Sequence, residues 1–244
     1  MVLNPNTTIV AAVGNTLSAL LFIYASLRLL MVWRKDRDPL TASLALSIML
    51  MGIGLIFEVS AEYIVIAVGA NATADLLVYI FFVFFIASYP LMAYFYVGLF
   101  RPRNRWYLPT ISFLSGFLLR AILGEEIAYG PPATMALPFA ILTLGMYVPL
   151  YLACRETAPK ASRLLTRMKF ILVGRFSLLY IATFFLFMAS SLFGSDPVTG
   201  NLFFLVVMTF MMVTVLHAWF GWSMPEFLRR RYAEAEKNRP DGPT

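Results

Sequence analysis

Glu58 and Glu62 stand four residues apart in a stretch, 40–69, that holds no other charged residue. Four residues is about one helical turn, so the two carboxyls share a helix face and repel when both are ionised in a medium of low dielectric. An ionisable group inside a hydrocarbon layer costs roughly 2.5–3.5 kcal/mol on insertion scales, so such residues turn to a bundle interior and find partners there. Arg120, Arg175 and His217 sit in apolar surroundings of the same kind. At 1.5 Å per residue, a helix running outward from 40 places Glu58 about 5 Å and Glu62 about 11 Å beyond the midplane, and one running outward from 106 places Arg120 about 5 Å beyond it. These depths predict an outward-facing polar pocket of Glu58, Glu62 and Arg120, with Tyr63 and Tyr79 near its mouth and Glu125 and Glu126 adding negative charge. Such a pocket suits a cationic ligand or the exchange of a proton. The same residues equally describe a structural ion pair pinning helix 2 to helix 4, with the second carboxyl protonated or wetted from outside. Arg175 and His217 make a separate inner polar layer, the arginine lifting its head to the interface on a long stem and the histidine hydrogen-bonded between helices.

Other reactive residue types are scarce. A single cysteine, Cys154, leaves no internal disulfide, and the single histidine removes most metal and haem chemistry. A seven-helix zinc hydrolase needs more than one histidine, and a rhomboid-type protease needs a Gly-flanked serine set against one. The Glu125-Glu126 pair lacks the arginine four residues on and the extra histidines of CAAX-type intramembrane proteases. Met208, Met211 and Met212 near His217 read as soft packing. With no nucleophile and base pair, metal cluster or phosphate loop left, the expectation is a protein that is not an enzyme and holds no metal or cofactor.

The elements that position these residues follow from composition. Of 244 residues, 60% are apolar and 13% charged, about half the charged share of a soluble domain. Seven apolar segments fall at 7–32, 40–69, 75–100, 106–127, 133–153, 169–194 and 198–222. Each can cross a hydrocarbon layer roughly 30 Å thick, and none has the strict alternation of a membrane strand. The fold class expected is all-α: an integral membrane bundle of seven transmembrane helices. Sixteen of the nineteen basic residues lie in 33–38, 101–105, 154–169 and the tail, while 1–6, 70–74, 128–132 and 195–197 hold none. Short cytoplasmic loops collect lysine and arginine, so the reading is a multi-pass cell-membrane protein with its N-terminus outside and C-terminus cytoplasmic. The net charge of +6 is thereby explained without a nucleic-acid partner. No basic residue precedes the first apolar run, which argues against a cleaved signal peptide. The sequons at Asn6 and Asn71 fall on the expected outer side.

Residues 1–223 read as the transmembrane domain and 224–244 as a cytoplasmic tail. Ser223-Met-Pro-Glu226 has the pattern of a capping box that starts a new helix over 224–237. That helix is expected to lie at the interface, with Phe227, Leu228 and Tyr232 toward lipid and with Arg229, Arg230 and Arg231 available to anionic headgroups. The architecture resembles the receptor-like bundles of rhodopsins and G-protein-coupled receptors. The lysine for a retinal Schiff base, an Asp-Arg-Tyr and an Asn-Pro-x-x-Tyr are all absent, and a chain without glutamine lacks the Pro-Gln pairs of seven-helix sugar transporters. That lack of glutamine, with 15 arginines to 4 lysines, is read as a sign of a heat-adapted source. The expected function is that of a receptor-like or scaffold subunit acting through a cytoplasmic or membrane protein partner. The alternative is a transporter or channel component moving a small solute, an ion or a proton.

Overall fold

A computed structural model of the chain describes residues 5–69, 71–100, 105–124, 133–193 and 197–237. The elements among them are helical: α1 (Pro5–Asp36), α2 (Pro39–Val68), α3 (Ala72–Phe100), α4 (Tyr107–Gly124), α5 (Ala133–Thr157), a 3-10 turn at Ala158–Lys160, α6 (Leu164–Phe193), α7 (Pro197–Trp222) and α8 (Glu226–Lys237). Hydrocarbon offers no water to the backbone, and a helix closes its N–H and C=O groups within one segment. Six helices, α1–α3 and α5–α7, are long and apolar enough to cross a membrane. The chain is therefore a polytopic helical membrane protein. The apolar part of α4, Tyr107–Ile122, is shorter; all of α4 is about 27 Å long, slightly less than a hydrocarbon layer of about 30 Å.

Helix ends lie within a few residues of the expected segments. α1 runs through Arg34 and Lys35, and α6 starts at Leu164, before 169, because a charged flank stays helical after it leaves an apolar layer. Arg101, Arg103, Asn104, Glu125, Glu126, Ser195 and the tail beyond 237 lie outside the described residues. Pro90, Pro138 and Pro149 sit inside helices that continue through them.

From α1 to α7 each helix packs on the next in sequence, α7 closes on α1, and α3 also touches α5. α4 stands outside this ring of contacts against α3 and α5. Small residues set the closest approaches, as expected where lipid competes with protein for apolar contact. A Cβ on Gly221 would come within 3.0 Å of the Val173 amide nitrogen, and one on Gly54 within 3.2 Å of the Phe81 carbonyl oxygen. Hydroxyls bridge neighbouring helices: Ser26 donates to the Ala45 carbonyl at 2.7 Å and Ser47 to that of Ser88 at 3.0 Å.

The basic ends of the helices are tied together. α1 finishes in the left-handed conformation at Arg37 (φ 55°), whose guanidinium carbon lies 5.5 Å from the centre of the Trp33 ring. Asp38 then caps α2, accepting from the Leu40 and Thr41 amides. Thr41 Oγ1 donates to Asp38 at 2.7 Å and accepts from the Trp222 indole at 2.9 Å. α8 is a separate helix, as expected, but the capping box is not formed. The helix begins at Glu226, leaving Ser223 outside its first turn, and the Glu226 carboxylate is engaged by Arg230, which holds it below its usual pKa. α8 packs on α6, and Glu236 accepts from the Leu164 amide at 3.2 Å, capping α6 from 72 residues away.

Candidate functional site

Helices α1, α2, α3, α5, α6 and α7 enclose a cavity of about 90 Å³. Asn15 and Glu58, both on its lining, lie about 27 Å along their helices from Trp33 and Leu40, and Met208 about 21 Å from Trp222. The cavity thus occupies the half of the bundle remote from the basic ends. Its walls are rings and thioethers: Phe22, Phe81, Phe82, Phe85, Phe139 and Phe184, with Met51, Met208 and Met211. Polar groups enter at few places, through Asn15, Glu58, Tyr180, Thr183 and Thr214. The volume suits several waters or one small organic group.

The polar end is built by α1 and α2. Asn15, fully buried, donates through Nδ2 to Glu62 Oε1 at 2.9 Å. Glu62 is 6% exposed, and its Oε2 has no hydrogen-bond partner; neither has Asn15 Oδ1, nor Ser18 Oγ one turn further along α1. Buried polar atoms normally carry a hydrogen bond, so two orphaned oxygens on adjacent helices, Glu62 Oε2 and Asn15 Oδ1, mark a place fitted to something that donates or bears positive charge, with the unpartnered Ser18 hydroxyl able to donate or accept beside them. Glu58, one turn from Glu62 on the same face, reaches the cavity itself.

The expected cluster is assembled differently. Arg120 is exposed on α4, which packs against α3 and α5, and it pairs with neither acid among the described residues. Depth along the membrane normal was matched, yet a ring of sequential neighbours separates helix 2 from helix 4. Tyr63 is 48% exposed on the outer surface of α2, and Tyr79 packs against the core without lining the cavity. Arg175 and His217 have separate surroundings. Arg175 lines a groove between α5 and α6, while His217 Nδ1 bonds the Val213 carbonyl of its own helix at 2.8 Å. Asn15, the one amide in 7–32, is the residue the sequence reading missed.

Below the cavity the apolar packing closes, although the buried Tyr147 and Tyr180 hydroxyls have no hydrogen-bond partner among the described residues. The Tyr89 and Thr143 hydroxyls lie 2.7 Å apart, and Tyr147 stacks on Tyr180 with ring centres 4.0 Å apart. Phe95, Leu29, Ile48, Met92 and Leu150 are fully buried beneath them. The chain matches no protein-family model, and neither a curated protein nor a solved structure is significantly similar to it.

Proposed function

We propose that this chain is a non-enzymatic, receptor-like membrane protein that takes a small cationic ligand into the cavity and acts through a protein partner at its basic end. The observation that carries this reading is the pair Glu58 and Glu62. No basic residue pairs with either among the described residues, and the cavity that Glu58 lines is walled by aromatic rings. Ring faces attract cations, and a carboxyl deep in a bundle is a ligand or counter-ion position by default. α7 carries Val207, Met208, Met211 and Thr214 on the cavity and ends at Trp222, bonded to Thr41. One helix thereby joins ligand to the basic end. In this reading α4 is the seventh span, the N-terminus is outside and the basic segments are cytoplasmic, with Arg229, Arg230 and Arg231 toward anionic headgroups or a partner.

The rival reading, a conduit for an ion or solute, needs a polar path past the midplane. The packed residues beneath the cavity favour the receptor. Reconstitution in sealed vesicles separates the two. The receptor predicts no flux of small cations, with recovery of a partner from gently solubilised membranes. Flux abolished by Glu58→Gln and Glu62→Gln would make the chain a transporter.

A further inference from the structure

We propose that the groove between α5 and α6 at the basic end binds the phosphate of an anionic phospholipid from the adjoining leaflet, independently of the central cavity and whatever occupies it. The groove has a volume of about 440 Å³ and is lined by three arginines: Arg155 on α5, Arg167 and Arg175 on α6. No acidic residue lines it, and none of the three arginines is in an ion pair among the described residues. Three like charges gathered at one groove repel one another and call for an anion between them. Guanidinium groups meet phosphate oxygens with paired N–H donors, which makes phosphate a fitting one.

The floor indicates a lipid in preference to a soluble anion. It is apolar, made of Cys154, Phe170, Ile171, Gly174 and Leu178. At Gly174 the two helices approach so closely that a Cβ would sit 3.2 Å from Cys154 Cβ. Leu178 is 50% exposed, as is Leu152 at 45% on the neighbouring helix, so the surface beside the groove continues as hydrocarbon-compatible wall. Arg175 lies about 12 Å deeper along α6 than Arg167. Its stem can run along Ile171 and lift the guanidinium toward the interface. A headgroup at Arg155 and Arg167 with an acyl chain descending past Leu178 satisfies both the charged rim and the apolar floor, the arrangement by which basic pockets between membrane helices hold anionic lipids.

The test uses the full-length protein in nanodiscs of phosphatidylcholine doped with a photoreactive phosphatidylglycerol. Crosslinks to the wild type should map to Tyr151–Leu178 and fall when unlabelled phosphatidylglycerol competes, while phosphatidylcholine does not compete. Arg155→Gln, Arg167→Gln and Arg175→Gln should each weaken retention of phosphatidylglycerol roughly fivefold. The triple variant at Arg229, Arg230 and Arg231 should leave this crosslink in place. Crosslinks confined to α8, equal competition by phosphatidylcholine, or displacement by millimolar inorganic phosphate would each overturn the proposal, the last by making the groove a soluble-anion site.

Discussion

The Asn15 amide and the Glu62 carboxyl meet at 2.9 Å between α1 and α2, both buried, with Asn15 Oδ1 and Glu62 Oε2 left without partners on either side of the bond. The bond joins residues 47 apart in sequence and fixes the polar end of the cavity. Asn15→Ala should destabilise the folded protein by about 1–3 kcal/mol, because it strands a second buried oxygen. Asn15→Ala combined with Glu62→Leu should recover part of that loss, with a coupling of about 0.6–1.7 kcal/mol, the range found for hydrogen bonds between membrane helices. Equilibrium unfolding in mixed micelles measures both.

Gly221 holds α7 against α6. A side chain there meets the Val173 amide nitrogen at 3.0 Å and Leu172 Cβ at 3.1 Å, and neither can step aside without moving the helix. Gly221→Val should cost about 1–3 kcal/mol. Gly116, with nothing within 4 Å of the added carbon, should accept alanine with no loss, or with a gain of up to about 1 kcal/mol from helix propensity. Thermal melts of the two variants against the parent show the contrast.

Thr41 serves two partners at once, donating to Asp38 and accepting from Trp222. Trp222→Phe should remove about 0.5–1.5 kcal/mol and Asp38→Ala about 1 kcal/mol. Thr41→Val should cost more than either. If α7 reports cavity occupancy to the basic end, Trp222→Phe should also weaken partner recovery at ligand concentrations where the parent retains it; a pull-down titration reads this.

The helical plan was legible because composition and periodicity in a membrane protein answer to a single demand, backbone closure in hydrocarbon. The apolar runs of α2 and α3 end within three residues of their sequence limits. Glu58 and Glu62 stood out because charge in such a run is costly. Their partner did not, since depth fixes only one coordinate, and Arg120 at a suitable height turned out to lie on the wrong side of α3. Asn15 is uncharged and raises no alarm in a hydropathy scan, although one amide in an apolar segment is the kind of group that finds a buried acid. The capping box failed for a local reason: the helix begins at Glu226, so that residue does not stand at the third helical position after Ser223, and its carboxylate meets Arg230 one turn on.

Topology is open to a direct check on α4. With α4 crossing, a cysteine at Asn71 or Ser195 should react with an impermeant thiol reagent from outside, and one at Asn104 should not. Cys154 is buried and should contribute little background. The same reactivity at Asn71 and Asn104 would mean that α3 does not separate two compartments, and labelling of Asn71 but not Ser195 from outside would remove α4 from the spans.

In the proposed receptor, Glu58 and the rings around it bind a small organic cation. Equilibrium binding of ethylammonium, small enough for a cavity of about 90 Å³, to the solubilised full-length protein, alongside its neutral isostere ethanol, reads the charge preference of the site. Saturable one-to-one binding of the cation is expected, at least tenfold weaker in Glu58→Gln and lost in Met208→Trp, with the neutral compound binding poorly to all three. Equal affinity for the two compounds, or cation binding indifferent to both substitutions, would contradict it.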